Sequence, residues 1–370
     1  MAVASLIAIT FLLVFLQMIL YQKKSLQGIE YERTIKDRAV FAGENTEMTE
    51  VIANKKLLPL PWIRLESKMD KSLVFKSQKN LSIVGEAYHR SLFTLAPYQK
   101  IKRRHQIHCV KRGFYQLKTV TMTSGDLFGF VQVFETLHIK CNLVVYPQLV
   151  ELKDLPLPSK SFQGDTIVRR WIMEDPFINA GVRKYAHGDT FKNVNWKASA
   201  RTGDLQVNKK DYTANYHLLI YINFDQNYMN WSRVNYEQQM EKAISYAATL
   251  ATYTINHGIE TGFGGNSFAL EFSGDFNGFR KPIRLAARTG RPHLHHLYET
   301  LAKAQLATSI SFAQFLQEDV DRRQKGKDII ILTEQLDSDA KNKIESLQRL
   351  GNSVKVMWLD GANQPKQAQA

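Results

Sequence analysis

From Val3 to Tyr21 the chain carries no charged side chain, and only Ser5, Thr10 and Gln17 interrupt the run with clearly polar groups. No other stretch limits the fold so sharply. As a helix rising about 1.5 Å per residue, residues 3–21 span roughly the hydrocarbon core of a bilayer. No basic region precedes the run and no small-x-small cleavage site follows it, so it reads as an uncleaved anchor and not a signal peptide. Lys23 and Lys24 follow at once, with Arg33, Lys36 and Arg38 nearby. The positive-inside rule then predicts a single-pass protein of the cell membrane with its main domains in the cytoplasm.

The remaining length suits about two domains, and a 44% hydrophobic share supplies their cores. The net charge of +14 is uneven: residues 23–150 hold 21 Lys and Arg against 11 Asp and Glu, and residues 215–370 hold 17 against 16. Basicity next to an anchor points to anionic headgroups or plain solvation. Nucleic acid is not expected as a partner, because the charge lies among strands without a recognition helix. Cys109 and Cys141 are too few for a disulfide scaffold and read as free thiols.

Period and punctuation divide the chain into an anchor (1–22), an all-β sandwich (23–150), a linker with a dense motif (151–214), an α/β domain (215–362) and a polar tail (363–370). In the second region, short alternating segments recur every ten residues or so: Val40–Glu44, Thr49–Asn54, Ser91–Leu95, Ile101–Val110 and Thr119–Met122. Leu60–Leu65 is predicted as a strand start, with prolines tolerable only at its edge. Lys102, Arg103 and Arg104 are read as facing solvent or headgroups. His105 and His108 differ by an odd number on a strand, so they face opposite sides and cannot share a metal. Pro147 and the Leu155–Pro158 segment mark an extended linker, and residues 160–182 read as loop.

After residue 215 the period changes. His217–Phe224 and Asp328–Thr333 are near-continuous apolar runs, as in strands buried on both faces. Met240, Ile244, Ala247, Ala251 and Ile255 form one helical stripe within Tyr236–His257, stopped by Gly258. Glu260–Phe263 and Ser267–Phe272 are predicted to pair around Gly264–Asn266. Helices are expected over Leu294–Leu306, Phe312–Val320 and Ser338–Leu350, and a last strand over Ser353–Leu359. That order belongs to an open, doubly wound sheet.

The densest motif is Arg183-Lys184-Tyr185-Ala186-His187-Gly188-Asp189, continuing through Asn195-Trp196-Lys197-Ala198-Ser199-Ala200-Arg201 to Leu205-Gln206-Val207. Gly188-Asp189 is a turn signal. Arg183 and Arg201 flank Asp189 and suit a guanidinium–carboxylate network. Tyr185 and Trp196 suit a domain seam or a partner surface. This pattern resembles the signature of the bacterial and archaeal DUF-58 family, with Lys192 standing where Arg is common. The resemblance implies a membrane-anchored protein whose C-terminal domain is similar to a von Willebrand factor type A domain. It also implies a partnership with a MoxR-type AAA+ ATPase. The stretch Asp126-Leu127-Phe128-Gly129 resembles one found where the chain of such proteins leaves the sandwich; the simpler reading is a turn with an aromatic plug.

In a domain of that type Mg²⁺ is held by Asp-x-Ser-x-Ser with a Thr and an Asp from other loops. Here Asp225 fits and Asn227 offers a carbonyl, but Met229 puts a thioether where a hydroxyl belongs, and Thr333-Glu334 replaces Thr-Asp. The set argues against an intact ion site, and no cofactor is expected. His293 and His296 lack a carboxylate or thiol partner in their motif. His187, Asp189 and Ser199 would be the residues of a hydrolase or metal-dependent enzyme, but Ser199 has no nucleophile elbow. Gly262–Asn266 fits no phosphate-binding pattern. The leading expectation is a non-enzymatic interaction or scaffold module in envelope assembly or stress handling. The alternatives are that enzyme, or a basic lipid-surface or nucleic-acid binder using residues 23–112. Oligomeric state is not legible.

Overall fold

A computed structural model describes residues 2–75, 81–84, 88–156, 179–186, 194–210, 217–226, 233–269 and 280–359. The chain forms two compact units, Met1–Gln148 with Tyr298–Lys303 and Leu149–Leu297 with Ala304–Ala370.

The first unit begins with helix α1 (Ala2–Lys24). Among the described residues it is the one helix long and apolar enough to cross a membrane, and only 6% of that window is buried by protein. Apolar side chains all round a helix with nothing packed on them need another apolar medium. The last turn behaves differently. Tyr21, Ser25 and Leu26 are buried, and the Tyr21 hydroxyl donates to the Pro59 carbonyl at 3.1 Å. The Lys56 ammonium donates to the carbonyls of Lys24 (2.6 Å), Ser25 and Gln27 (2.7 Å). A cation there satisfies orphan acceptors and complements the negative end of the helix dipole. Burial pulls the Lys56 ammonium down to about 8.

The strands that follow form three sheets. One orders β1 (Ile29–Ile35), β3 (Asn45–Asn54), β8 (Lys100–Cys109) and β5 (Leu73–Phe75) as β1-β3-β8-β5. The second contains β4 (Leu60–Lys68), β6 (Leu81–Val84), β7 (Tyr88–Leu95), β10 (Thr119–Gly125) and β11 (Gln132–His138), ordered β11-β10-β4-β7-β6. The third places β12 (Asn142–Tyr146) between β2 (Ala39–Phe41) and β9 (Gly113–Gln116). One core cluster joins Ile52 of β3 to Ile63 and Leu65 of β4, Phe93 and Leu95 of β7, and Val120 and Met122 of β10. Two sheets therefore face each other across a shared apolar layer, as in a sandwich. A second cluster joins Met48, Ile107 and Cys109 to Leu143 and Val145.

The strand start at Leu60 is met, and the expectation at Asp126 fails for a physical reason. β4 is an internal strand, between β10 and β7. Its Pro61 is tolerated because the β4–β7 register slips between Leu60 and Ile63, so no ladder donor is needed there. At Asp126 the chain does not leave the sandwich but turns back, pairing β10 with β11 from Gly125↔Gln132 to Thr119↔His138. Strand parity does separate the two histidines: His105 is buried, and His108 bonds Asn45 near the surface. Cys109 and Cys141 are buried free thiols.

In the second unit β13 (Asn179–Lys184) pairs antiparallel with β14 (Gln206–Lys210), and the short helix α2 (Trp196–Thr202) lies between them in sequence. A five-stranded sheet follows, built from β15 (His217–Ile222), β16 (Glu260–Gly265), β18 (Ile283–Arg288), β20 (Asp328–Thr333) and β21 (Ser353–Trp358). Its order is β18-β16-β15-β20-β21, parallel throughout except for β18 at the edge. The helices are α3 (Arg233–Asn256), α4 (Arg291–Lys303), α5 (Phe312–Asp321) and α6 (Ser338–Arg349). All five residues of the predicted α3 stripe are buried, and Gly258 adopts φ 80° just past its end.

The expected hairpin at Gly264–Asn266 does not form. β16 runs on through Gly265 beside β15, and β17 (Ser267–Ala269) pairs with β19 (Ala304–Thr308), a strand where helix was expected. The glycines serve close approach: a Cβ on Gly264 would lie 2.9 Å from the rings of Tyr221 and Phe315.

Candidate functional site

Open parallel sheets present their ligand-binding rim at the carboxyl ends of the strands. Here that rim is formed by the residues just after β15 and β16 and at the end of β20. The Asp225 carboxylate accepts from Asn266 Nδ2 at 2.7 Å and from the Phe312 amide at 2.9 Å. The second contact puts a carboxylate on the N-terminus of α5, where free N–H groups and the dipole favour an anion. Asn266 Oδ1 accepts from the Phe224 amide at 2.8 Å, so one amide side chain clamps two loops. Asn223 Nδ2 donates to Thr333 Oγ1 (3.1 Å) and to the Gln335 carbonyl (3.0 Å), while its Oδ1 accepts from the Asp225 amide (2.9 Å). Burial raises the Asp225 carboxyl, and the Phe312 and Asn266 hydrogen bonds oppose that without overcoming it. Glu334 follows Thr333, half-buried; Asn227 and Met229 lie outside the described residues. Both Asp225 oxygens and the Thr333 hydroxyl are thus engaged in the protein's own framework. An ion there would have to share oxygens that already accept the protein's own donors.

The motif region is built around local backbone ties. Asn195 caps α2, its Oδ1 accepting from the Ala198 amide at 3.0 Å. Ser199 Oγ donates to the Asn195 carbonyl and accepts from the Gln206 amide, both at 2.8 Å, fastening α2 to β14. The described bonds of this hydroxyl are those of a strut between α2 and β14. Arg183, Trp196 and Arg201 are exposed and Tyr185 is half-buried, with Trp196 at 65%. His187, Gly188, Asp189 and Lys192 lie outside the described residues, as do Arg169, Arg170 and Trp171. The proposed Asp189 network therefore has no described geometry.

A third cluster was not anticipated from the sequence. Alternation along β3 turns Met48, Glu50 and Ile52 inward, so an acid lies on the core face. Glu50 Oε1 accepts from Arg33 Nη2 at 2.9 Å and from the Tyr31 hydroxyl at 2.6 Å. Its Oε2 meets His105 Nε2 at 2.9 Å and Ser91 Oγ at 3.4 Å. Arg33 also donates to Ser67 Oγ at 3.0 Å. Arg33, Glu50 and His105 come from one sheet, and Ser67, Ser91 and His89 from the facing one. Arg33 and Glu50 are sealed, each side chain 0% exposed. This corrects the placement of Arg33 among the membrane-proximal charges: it faces the core and cannot reach a headgroup.

Burial alone would raise the Glu50 carboxyl, but the His105 hydrogen bond and the Arg33 charge outweigh it and hold the group well below the usual carboxylate range. With Glu50 ionised, His105 Nε2 is the donor. His89 is buried against His105, ring centroids 5.0 Å apart, and neither of its nitrogens has a hydrogen-bond partner among the described residues. Burial pushes its pKa down to about 4, so the ring is neutral at pH 7. Glu50, His89 and His105 bring ligand-type atoms within 4.8 Å of one another, a nitrogen–oxygen set of the kind zinc uses. Charge decides against it. Arg33 already neutralises Glu50, so a divalent ion would leave two excess positive charges in a dry core, at several kcal/mol per ion. The cluster is a polar bolt between sheets.

The molecule thus joins an apolar N-terminal helix and a sheet-rich unit to an α/β unit whose described rim residues bond one another. Residues 181–364 match the family described as "Protein of unknown function DUF58". Over 317 residues, 85% of this chain and 72% of the relative, it is 20% identical to the "Uncharacterized protein YeaD" of Bacillus subtilis. Among solved structures it is similar to the CARDB domain of the PF1109 protein of Pyrococcus furiosus, with 13% identity and a TM-score of 0.20 over 32% of this chain and 96% of that one. It is similar also to a non-cellulosomal cohesin of Archaeoglobus fulgidus, with 9% identity and a TM-score of 0.22 over 31% and 91%. Both scores are too low to transfer anything to this chain.

Proposed function

We propose that this protein is a membrane-anchored, non-enzymatic interaction module, held by α1 with its two folded units in the cytoplasm, that works with a MoxR-type AAA+ ATPase in envelope assembly or stress handling. The observation that carries the non-enzymatic part is the rim of the α/β sheet. Asn223, Asp225, Asn266 and Thr333 spend their polar groups on one another and on backbone, where an enzyme or ion-binding domain of this architecture keeps them for a ligand. Strand order β18-β16-β15-β20-β21, with one antiparallel edge strand, supports a von Willebrand factor A-like reading of this unit. Exposed Trp196 and Leu205 of the motif, with exposed Val182 just before it, support a partner-facing role for the signature. The ATPase partner rests on the family resemblance. Crosslinking in intact cells followed by detergent extraction and purification of the chain is expected to recover such an ATPase. Recovery of the chain alone, from cells that make the ATPase, overturns the partnership.

A further inference from the structure

We infer that the β10–β11 hairpin tip, residues 127–130, is a second membrane contact that enters the lipid beside α1; this rests on the reading of α1 as an anchor. The tip bares three large apolar side chains in four residues: Leu127 (64% exposed), Phe128 (61%) and Phe130 (66%), with Phe134 exposed further along β11. A turn at a water-facing end of a sandwich is ordinarily built from polar residues and Gly. The aromatics do not plug the core, as the sequence suggested, and the Phe128 and Phe130 rings lie 6.1 Å apart at the surface.

What covers them is indicated by the base of the hairpin. Asp126 is fully buried, and Gln17 of α1 donates to its Oδ2 at 3.5 Å. Gln17 lies seven residues before Lys24, about 10 Å up the helix at about 1.5 Å per residue, inside the apolar run. The hairpin therefore starts beside a level of α1 that a bilayer surrounds. The docked last turn of α1, fixed by Tyr21 and Lys56, holds helix and hairpin in one frame. The loop is also prepared for a medium without water. Asp126 accepts from the Phe128 amide (3.3 Å) and the Val131 amide (2.9 Å), and its carbonyl accepts from Trp62 Nε1 (3.3 Å). Two backbone donors that would be orphaned in lipid, those of Phe128 and Val131, are thereby satisfied within the loop. Gly129, at φ 79°, supplies the left-handed turn position.

The test places a nitroxide on single cysteines in the full chain reconstituted into phospholipid nanodiscs, using Phe128→Cys, Phe130→Cys, Phe11→Cys in α1 and Lys140→Cys on the exposed sandwich surface. Cys109 and Cys141 are buried, and the unsubstituted protein sets the labelling background. Oxygen, which concentrates in lipid, is expected to relax the labels at 128, 130 and 11 several-fold more than a water-soluble nickel chelate does, with the opposite order at 140. Labels at 128 and 130 that behave like the one at 140, while the one at 11 is in lipid, overturn the inference alone. Labels at 128 and 130 that neither reagent reaches also overturn it, since a protein partner or second copy then covers the tip. A label at 11 exposed to the chelate overturns the anchor reading and this inference with it.

Discussion

Glu50 and Asp225 are both carboxylates drawn out of water, yet their surroundings treat the charge in opposite ways. Glu50 is met by a guanidinium, an imidazole and a phenol, and its acidity increases. Asp225 is met by an amide side chain and a helix N-terminus, and its acidity decreases. Full cationic charge outweighs desolvation; oriented dipoles alone, in this case, do not. The sandwich has therefore committed to an ion pair within one sheet, tied by Ser67 and Ser91 to the facing one, whereas the α/β rim uses its acid as a loop clamp. Both carboxylates are engaged by the protein's own groups.

The largest effect follows from breaking the ion pair on one side. Glu50→Ala strands Arg33 and the second sheet's polar groups in the core, and is expected to destabilise the first unit by about 3–5 kcal/mol. Arg33→Met, which leaves the Glu50 charge with only His105, Tyr31 and Ser91 as partners, should fall in the same range. Urea unfolding in detergent micelles, followed by circular dichroism, measures both. Losses below about 1 kcal/mol would mean that the bolt is solvated and open. Zn²⁺ added to the parent protein should leave its melting temperature unchanged; a rise would mean that the charge argument against a metal fails.

His89 gives the next effect. Its folded pKa, about 4, lies below the unfolded value of about 6.5, so the unfolded chain binds its proton first. Stability is accordingly full above pH 6.5 and falls as pH drops toward 4, by about 3 kcal/mol in all. Glu50, with its depressed pKa, adds a loss that starts lower, below the unfolded carboxylate value of about 4.3. His89→Phe should flatten the upper part of the curve only. An unchanged pH profile in that variant would assign the slope to another group.

Why was one of these clusters legible and the other not? The rim could be found from the sequence because it depends on local order: a buried apolar run ends, and Asp225 follows within the same loop. Its partner Asn266 was quoted only as part of a glycine turn, because pairing of β16 with β15 is not local. The Glu50 bolt draws on five strands, and its one sequence signal is parity, an acid in step with Met48 and Ile52. Arg33 looked like a flank of the anchor because charge near a span is the commoner cause. The α1 run, the α3 stripe and the β15 and β20 strands were readable since length and period are set by each segment alone. Pro61 in an internal strand was not, because the slip that excuses it belongs to the pair β4–β7.

The smallest effect separates a clamp from a worn metal site. Asp225→Asn keeps one carbonyl oxygen for Phe312 or Asn266 but turns an NH₂ toward the other donor, so one of the two bonds in the rim is lost. Because the folded pKa of Asp225 is raised, its charge opposes folding at neutral pH, and that penalty disappears as pH falls through the folded pKa. Removing the charge therefore offsets part of the lost bond, leaving a net cost of about 1 kcal/mol at pH 7 that grows as pH falls and the parent gains its proton. Differential scanning calorimetry at pH 7 and pH 4, with and without Mg²⁺, measures it. A clamp predicts that Mg²⁺ shifts neither protein. A melting temperature that rises with Mg²⁺ in the parent and not in Asp225→Asn would make the rim an ion site, and the contrast with Glu50 would then lie in which cation each acid was built to meet.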